Sequence, residues 1–346
     1  MSNDDLLIMS KDTVTAKWED GRLIVVNEQL LPLFLRRVHN VYLWLETRAI
    51  DSHRANSRLL KKALRLKEKD DASTALKMNG ATITDTYWVK SADSRLCYAD
   101  VRFGDDYFSE LALKGSYDSF NKAAERPDSR TPELTNTGSF EKCWKLKNGK
   151  WYMYKCATPD EQFTELFVCR LGRLLEMKMA DYQLGDGCVI SEDYTASASV
   201  NFEPALAFMG DNEDYEAVIE ELNRLCPQAV PDYIRMIFLD TVCANPDRHT
   251  SNFGLLRDPD TGELLGLAPC FDHNMALISR GKPAMPTEND LLIKLFNEVI
   301  EDHPEYKQYI PLLTNEALQE AADIPVNADK GYAVELVKAR YGLIRK

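Results

Sequence analysis

The 346-residue chain carries 42 Lys and Arg against 55 Asp and Glu, which gives a net charge of −13 and a pI near 5.0. Such an acidic balance argues against direct binding along a nucleic-acid backbone. The hydrophobic content of 45% and charged content of 28% are typical of a globular domain in water. No apolar stretch reaches the roughly 18 residues that a membrane-spanning helix needs.

The N-terminus and the cysteines favour a cytoplasmic protein. The first five residues, Met1 to Asp5, are acidic where a signal peptide would be basic. The eight cysteines are scattered, without a Cys-x-x-Cys pair, and several lie inside apolar runs. We therefore expect buried, reduced thiols, as in a protein of the cytoplasm.

The first part of the chain predicts a hairpin followed by helices. Residues 13–26 form two strand-like runs around Asp20-Gly21, a preferred two-residue turn. Apolar residues then recur at helical spacing from Gln29 to Leu45, which predicts one amphipathic helix. A further helix is predicted over 52–66, and a strand over 82–88.

Basic residues concentrate on and around the helix predicted over 52–66. They form either a solvated helix face or a docking surface for an acidic partner or nucleic acid. The cluster consists of Arg36, Arg37, Arg54, Arg58, Lys61, Lys62, Arg65, Lys67 and Lys69.

A polar stretch at 117–137 predicts a linker or mobile loop, and a domain boundary is placed there. Two strands joined by Asn148-Gly149 then predict a type I′ hairpin. A segment with Gly138 precedes this hairpin and Lys155 ends it, as a nucleotide-covering loop and a phosphate-binding lysine would require. A Walker-type phosphate loop is excluded, because the chain has no Gly-x-x-x-x-Gly-Lys-Ser/Thr motif.

The next elements supply further candidate groups for binding a nucleotide. An amphipathic helix is predicted over 160–177, with Glu161 and Glu165 one turn apart. Either glutamate is a candidate to pair with the strand lysine. A buried strand from Cys188 towards Tyr194 follows, where the backbone of an adenine-binding hinge would lie in a two-lobed kinase.

The strongest pattern lies between residues 244 and 276. A helix predicted over 231–243 leads into Asn245-Pro246-Asp247, where the proline forces an exit from the helix. Asn252 follows five residues later, then a hairpin over 254–268, then Asp272. Phosphoryl transfer from Mg-ATP needs this order: one Asp accepts the hydroxyl proton, and an Asn and a second Asp hold Mg²⁺. In a less favoured alternative, Asp247, His249 and Asp272 form a mononuclear metal hydrolase site.

The block Asp247-Arg248-His249-x-x-Asn252-Phe253-Gly254, with Leu-Ala-Pro-x-Phe before Asp272, resembles the HipA-like serine/threonine kinases. These are toxin-type bacterial kinases, distantly related to phosphatidylinositol 3- and 4-kinases. The resemblance is specific over about 231–278 and looser over 134–194.

The resemblance implies an α+β, two-lobed protein-kinase-like fold with an additional N-terminal α+β subdomain. The predicted division is an accessory subdomain at 1–130, a kinase N-lobe at 131–200 and a helical C-lobe at 201–346. The implied cofactors are ATP and Mg²⁺.

The resemblance also implies roles for individual residues. Asp247 is the expected catalytic base, and His249 supports the catalytic loop or contacts the γ-phosphate. Asn252 and Asp272 are the expected Mg²⁺ ligands. The residues expected to bind the nucleotide are Lys155, Glu165, Gly138, Ser139, Glu192 and Tyr194, and Ser139 is the matching candidate for autophosphorylation.

Three functions stay open at this point. The favoured function is a kinase acting on a protein Ser/Thr hydroxyl; the others are a nucleotide-binding pseudokinase that serves as an interaction module, and a kinase of a lipid or small-molecule hydroxyl. The expected partners are a protein substrate and, by family analogy alone, a small DNA-binding antitoxin-like protein. Association with a membrane is not expected.

Overall fold

The computed structural model of the protein describes residues 5–67 and 70–345. The chain forms two compact units. Unit 1 contains the residues up to Cys156 together with Thr195–Glu203 and Arg257–Glu263, and unit 2 contains Ala157–Tyr194, Pro204–Leu256 and the residues from Leu264 onwards. Every helix among the described residues is too short or too polar to span a lipid bilayer.

Unit 1 contains an antiparallel sheet and a hairpin. The sheet has the strand order β3-β2-β1-β4, and β5 pairs with β6. Both predicted Gly turns are confirmed: Asp20-Gly21 and Asn148-Gly149 have positive φ at both positions, as a type I′ turn requires. The strands are β1 (Leu6–Ser10), β2 (Thr13–Glu19), β3 (Arg22–Val25), β4 (Tyr87–Ser91), β5 (Lys142–Lys147) and β6 (Lys150–Cys156).

The helices of unit 1 are short. The single helix predicted over 29–45 is wrong, because His39 adopts a left-handed φ of 54° and the Asn40 side chain accepts hydrogen bonds from Tyr42 and Leu43, starting a new helix. The helices are α1 (Leu33–Val38), α2 (Val41–Glu46), α3 (Ala55–Ala63), α4 (Asp71–Lys77), α5 (Tyr98–Val101), α6 (Ser109–Lys114) and α7 (Tyr117–Ala124).

The linker predicted at 117–137 is also wrong. Its first residues form α7, capped by the Ser116 side chain. The 3₁₀ helix Pro132–Thr135 is buried throughout. This polar segment is ordered because its side chains bond inward: Thr135 donates to the Ala81 carbonyl, and Glu133 accepts from the Trp144 N–H.

The basic cluster is not a uniform surface. Arg54 is 1% exposed, and its guanidinium group lies inside unit 1. Lys69 lies outside the described residues. Arg58 and Arg65 are exposed, which is consistent with a solvated face for that part of the cluster.

Unit 2 is mainly helical and is centred on α11. The stripe predicted on this helix is confirmed, because Ile234, Ile237, Phe238 and Val242 are all fully buried. Thr158 and Glu161 form a capping box that starts α8. The remaining helices are α8 (Pro159–Leu174), α9 (Leu206–Met209), α10 (Tyr215–Leu225), α11 (Val230–Val242), α12 (Leu291–Asp302), α13 (Asn315–Ala322) and α14 (Lys330–Tyr341).

The remaining strands are short. β7 pairs with β8 in an antiparallel hairpin, and β10 lies beside β11 as the predicted 254–268 hairpin. These strands are β7 (Tyr182–Gly185), β8 (Cys188–Glu192), β9 (Asn201–Pro204), β10 (Gly254–Arg257) and β11 (Leu264–Leu267).

Two segments from later in the chain, Thr195–Glu203 and Arg257–Glu263, are fixed within unit 1 by a buried ion pair. Arg257 donates to the Glu203 carboxylate at 2.9 Å, and Glu203 also accepts from the Tyr87 hydroxyl at 2.7 Å. At Gly262 a Cβ atom would lie 1.9 Å from the Gln29 carbonyl oxygen, so only glycine fits there. The cysteines, all free, are mostly buried, as predicted.

Candidate active site

The loop after α11 brings the predicted base and an amide side chain together. Asn245 donates from its side chain to Asp240 on α11 at 2.7 Å, which fixes the exit from the helix. Asn252 donates from Nδ2 to the Asp247 main-chain carbonyl at 2.9 Å. Because Nδ2 is used in this bond, the opposite oxygen Oδ1 is the group that Asn252 can offer to a cation.

Arg248 joins this loop to the segment before Asp272. Its guanidinium group contacts both oxygens of Asp240, at 2.8 and 3.0 Å, and the two side chains are 5% and 1% exposed. The remaining Nη1 donates to the main-chain carbonyls of Asn252 at 2.6 Å and Phe271 at 2.7 Å. One buried cation therefore holds the backbone of Asn252 and of the residue before Asp272.

Arg248 is permanently charged in this setting. Burial by itself lowers the pKa of Arg248, but the charge and hydrogen bonds of the Asp240 carboxylate outweigh burial and raise the pKa above its ordinary value. The contact is bidentate, the strongest geometry of an arginine–carboxylate pair.

Asp272 lies on a constrained turn. Its φ is +60°, and its backbone N–H donates to the Tyr182 hydroxyl at 3.1 Å. The next N–H, of His273, donates to the Glu165 carboxylate at 3.0 Å, and Glu165 is fully buried on α8. Burial first, and the carboxylates of Glu165 and Asp272 next, raise the pKa of Tyr182 well above its usual value, so this phenol stays neutral.

The two glutamates of α8 differ in their surroundings. Glu161 accepts from the Thr158 N–H at 2.8 Å as part of the capping box, and its other oxygen lies 3.3 Å from Arg280. Glu165, by contrast, contacts the segment that carries Asp272. Of the two glutamates, only Glu165 therefore touches the candidate site in unit 2.

The other predicted residues of unit 2 lie around this core. The His249 ring accepts at Nδ1 from the Ser251 N–H at 3.2 Å, so the neutral ring carries its proton on Nε2. Tyr194 stacks on Phe271, the neighbour of Asp272, with ring centroids 5.7 Å apart. Glu192 ends β8, and its N–H donates to the Asp181 carbonyl.

Three predicted residues belong to unit 1. Lys155 is the next-to-last residue of β6, is 7% exposed, and places its ammonium group 4.7 Å from the centroid of the Phe140 ring. Gly138 and Ser139 lie in the exposed turn before β5, where Gly138 has a φ of +93°. A Cβ atom on Gly138 would lie 2.6 Å from the Lys142 ammonium nitrogen.

Several contacting residues were missed by the sequence patterns. Asp240 left a signal, since it is a charge inside the apolar stretch that predicts α11. Arg248 lies within the recognised block, but its role depends on partners at residues 240 and 271. Tyr182 left no signal.

The hydrolase alternative lacks a ligand set. Across residues 5–67 and 70–345, no group of three or more His, Cys, Asp and Glu side chains is arranged to hold a metal ion. Asp247, His249 and Asp272 therefore do not form the three-ligand site that this alternative needs.

Neither a protein-family model nor a curated protein matches the chain. Among solved structures, the Helicobacter pylori proinflammatory kinase CtkA is similar over 59% of this chain and 90% of its own, with 17% identity and a TM-score of 0.43. HipA of Shewanella oneidensis, solved with HipB and operator DNA, covers 97% of both chains with 12% identity and a TM-score of 0.52. The protein therefore has the mixed α+β fold of a HipA-like kinase along nearly its whole length, and the resemblance that the sequence predicts is confirmed at the level of the fold.

Proposed function

We propose that this protein is a Mg-ATP-dependent kinase that transfers the γ-phosphate to a Ser or Thr hydroxyl of a protein. The observation that carries this proposal is the Asp240–Arg248 pair, which holds the carbonyls of Asn252 and Phe271 with one guanidinium group. Such pre-organisation is what a site that works by positioning and electrostatics requires. The HipA-like fold supports the same reading.

Asp247 is the proposed catalytic base. It lies on a loop just after a buried helix, with its own carbonyl held by Asn252, so its carboxylate extends from a fixed backbone. This carboxylate accepts the proton of the attacking hydroxyl. His249, with its Nε2 proton, donates to a phosphate oxygen or braces the loop.

The donor set suits a magnesium ion. The Asn252 amide oxygen and the Asp272 carboxylate are hard oxygen ligands, and two protein ligands are the number that Mg²⁺ commonly takes beside water and phosphate. When bound, the ion neutralises negative charge on the phosphates. The left-handed turn at Asp272 and the Tyr182 contact fix the backbone from which this carboxylate extends.

The proposed nucleotide-binding residues keep the roles given by the resemblance. Lys155 binds the phosphates, Glu165 supports that lysine, Gly138 and Ser139 cover the phosphates, and Glu192 and Tyr194 belong to an adenine-binding hinge. The two-lobed architecture and the division at 1–130, 131–200 and 201–346 belong to the same proposal.

The test is incubation of the purified protein with γ-labelled ATP and Mg²⁺, followed by detection of label on protein. We expect label on the wild type, loss of label with EDTA, and loss of label in Asp247→Asn and Asp272→Asn. Asp211→Asn, an exposed carboxylate of unit 2, is the matched control and should label normally. Full labelling of Asp247→Asn would overturn the proposed base.

The same assay separates the other two functions. A pseudokinase would bind Mg-ATP without forming ADP. A kinase of lipids or small molecules would form ADP only when such a hydroxyl is supplied, and would leave protein unlabelled. Thermal shift and ADP detection alongside the label therefore distinguish all three.

Autophosphorylation and a partner complete the proposal. Ser139 is exposed and is the proposed autophosphorylation site; mass spectrometry of the 131–142 peptide after incubation with ATP checks it, with Ser139→Ala as the control. HipA of Shewanella was solved with HipB and operator DNA. We propose a small DNA-binding partner here as well, because the net charge of −13 leaves DNA contact to another protein.

A further inference from the structure

Arg54 is a buried cation in the part of the chain to which no role has been assigned. It precedes α3 and is 1% exposed. Its guanidinium group donates to four main-chain carbonyls of one short segment: Asn136, Thr137 at 3.0 Å, Gly138 at 2.7 Å and Lys142 at 3.4 Å. The segment is the turn that the sequence identified as a nucleotide-covering loop.

Three consecutive carbonyls of the loop are directed at one guanidinium group, and this also fixes the direction of the N–H groups that follow them. In a trans peptide the C=O and the following N–H point in opposite directions, and the structure has no cis peptide bond among its described residues. Because the carbonyls of residues 136, 137 and 138 are directed at Arg54, the N–H groups of Thr137, Gly138 and Ser139 are directed away from it. Successive N–H groups presented in this way form an anion-binding concavity.

We propose that Arg54 is a positioning residue, which draws the three carbonyls inward and thereby presents the N–H groups of Thr137, Gly138 and Ser139 to the phosphate chain of a nucleotide. The assignment of a nucleotide rests on the proposed function. The accessory region before residue 130 is then part of the phosphate site, because its Arg54 sets the conformation of the loop.

The surroundings of the loop fit this role. Thr137, Gly138 and Ser139 are exposed, and within the described residues none of their N–H groups donates a hydrogen bond. The Lys142 ammonium nitrogen lies beside Gly138 and adds positive charge. The exposed N–H groups are therefore available to a ligand, and Arg54 holds the backbone that carries them.

The base of the loop is fixed by the neighbouring 3₁₀ helix. Glu133, which is 1% exposed, accepts from the Trp144 N–H at 2.8 Å and from the Asn136 side chain at 3.2 Å. Arg54 is suited to the remaining contacts because its planar group offers five donors in a fixed fork, whereas a lysine offers one compact ammonium. A substitution by lysine cannot reproduce the four contacts.

The test measures binding of phosphate-bearing and phosphate-free ligands by Arg54→Lys and Arg54→Met. The probes are ATP with Mg²⁺, inorganic tripolyphosphate and adenosine. We expect both variants to weaken binding of ATP and tripolyphosphate about tenfold or more, the scale of one lost charge-assisted hydrogen bond, and to leave adenosine binding unchanged. The KM for ATP should rise more than kcat falls.

Arg130→Met is the matched control, since Arg130 also donates to two main-chain carbonyls of unit 1, those of Met78 and Val101, away from the loop. It should lower thermal stability without changing the ratio of ATP to adenosine affinity. Equal losses of adenosine and ATP binding in the Arg54 variants, or unchanged tripolyphosphate binding, would overturn the inference.

A second variant removes an N–H directly and keeps Arg54. Asn136, which precedes Thr137, has an extended backbone, with φ −92° and ψ 95°, which is the conformation that a following proline favours, so Thr137→Pro is the chosen substitution. We expect Thr137→Pro to bind tripolyphosphate more weakly than the wild type, and this result does not depend on whether the Arg54 variants fold. Unchanged binding would refute the proposed anion-binding role of these N–H groups. If the wild type binds phosphates but transfers none, the proposed kinase activity fails while this inference stands.

Discussion

Arg248 holds two segments of unit 2 with one guanidinium group. We predict that Arg248→Lys lowers stability and the labelling rate far more than the same substitution on the surface does. Lysine cannot contact both Asp240 oxygens and two carbonyls at once. Arg248→Lys keeps the charge but leaves buried acceptors without a donor, which destabilises by about 1–3 kcal/mol for each, and a shift of the backbone at the proposed Mg²⁺ ligands slows transfer by about 100-fold. Thermal unfolding and labelling rates measure the two effects.

The surface pair of Arg224 and Glu221 is the control for this prediction. Arg224 is 66% exposed there, so Arg224→Lys should change neither stability nor rate measurably. Equal effects of the two substitutions would mean that the geometry around Asp240 has no special importance.

Glu133 gives stability a pH dependence. Burial raises the pKa of this carboxyl to about 7, and the backbone hydrogen bond from Trp144 opposes the rise only in part. Between the ordinary pKa and about 7, the folded protein holds a proton that the unfolded chain has released. This contribution to the free energy of unfolding is therefore fully present below pH 4.5 and is lost as pH rises through 7; it is on the order of 3 kcal/mol at most.

Glu133→Gln should remove this dependence, because the amide stays neutral and its oxygen still accepts from Trp144. We expect the difference in melting temperature between pH 5 and pH 8 to be smaller in the variant than in the wild type. A wild type whose stability rises over that range relative to the variant would contradict the sign of the shift.

Helix α8 acts on the Asp272 turn through Glu165, and we predict that the two obvious substitutions differ. Glu165→Gln keeps an oxygen for the His273 N–H, whereas Glu165→Ala leaves that buried donor without its acceptor, at about 1–3 kcal/mol. The Mg²⁺ concentration for half-maximal labelling should rise about tenfold or more in the alanine variant and only slightly in the glutamine variant.

Thr158→Ala is the control for α8. It removes the capping side chain and costs about 1 kcal/mol of helix stability without touching His273, so the Mg²⁺ dependence should not move. If the glutamine variant loses as much as the alanine variant, the charge of Glu165 matters more than its hydrogen bond to His273.

Local chemistry explains which elements could be predicted. The Asp20-Gly21 and Asn148-Gly149 turns and the helices α8 and α11 are coded by neighbouring residues, and these predictions are confirmed. The break between α1 and α2 lies at His39 and Asn40, where periodicity continues across a left-handed residue. For this reason the sequence pattern predicts one helix where the structure has two.

Long-range contacts explain what was missed at the site. The order of Asp247, Asn252 and Asp272 is local, so it could be recognised from the sequence. The partners of that block are separated along the chain: Tyr182 lies 90 residues from Asp272, and Arg54 lies 84 residues from Gly138. Sequence spacing carries no signal for such pairs, because the fold alone brings them together.

The whole protein should register nucleotide binding as a gain in stability, because a ligand that binds only the folded state stabilises it by mass action. At 100 times its dissociation constant, Mg-ATP adds about 2.7 kcal/mol, enough to shift the melting temperature by several degrees. The chain forms two units, which can unfold in separate transitions. The shift should therefore appear in the unfolding transition of a unit that contacts the ligand.

Substitutions at the candidate site should separate nucleotide binding, measured as this gain in stability, from phosphoryl transfer, measured as label. Asp247→Asn removes the proposed proton acceptor but no proposed ligand contact, so its Mg-ATP shift should match that of the wild type while labelling is lost. Asp272→Asn removes a proposed carboxylate ligand, so it should lose most of the Mg²⁺-dependent part of the shift and keep the shift given by ATP with EDTA. A full Mg²⁺-dependent shift in Asp272→Asn would place the ion elsewhere, and a lost shift in Asp247→Asn would make that residue a binding group and not a base.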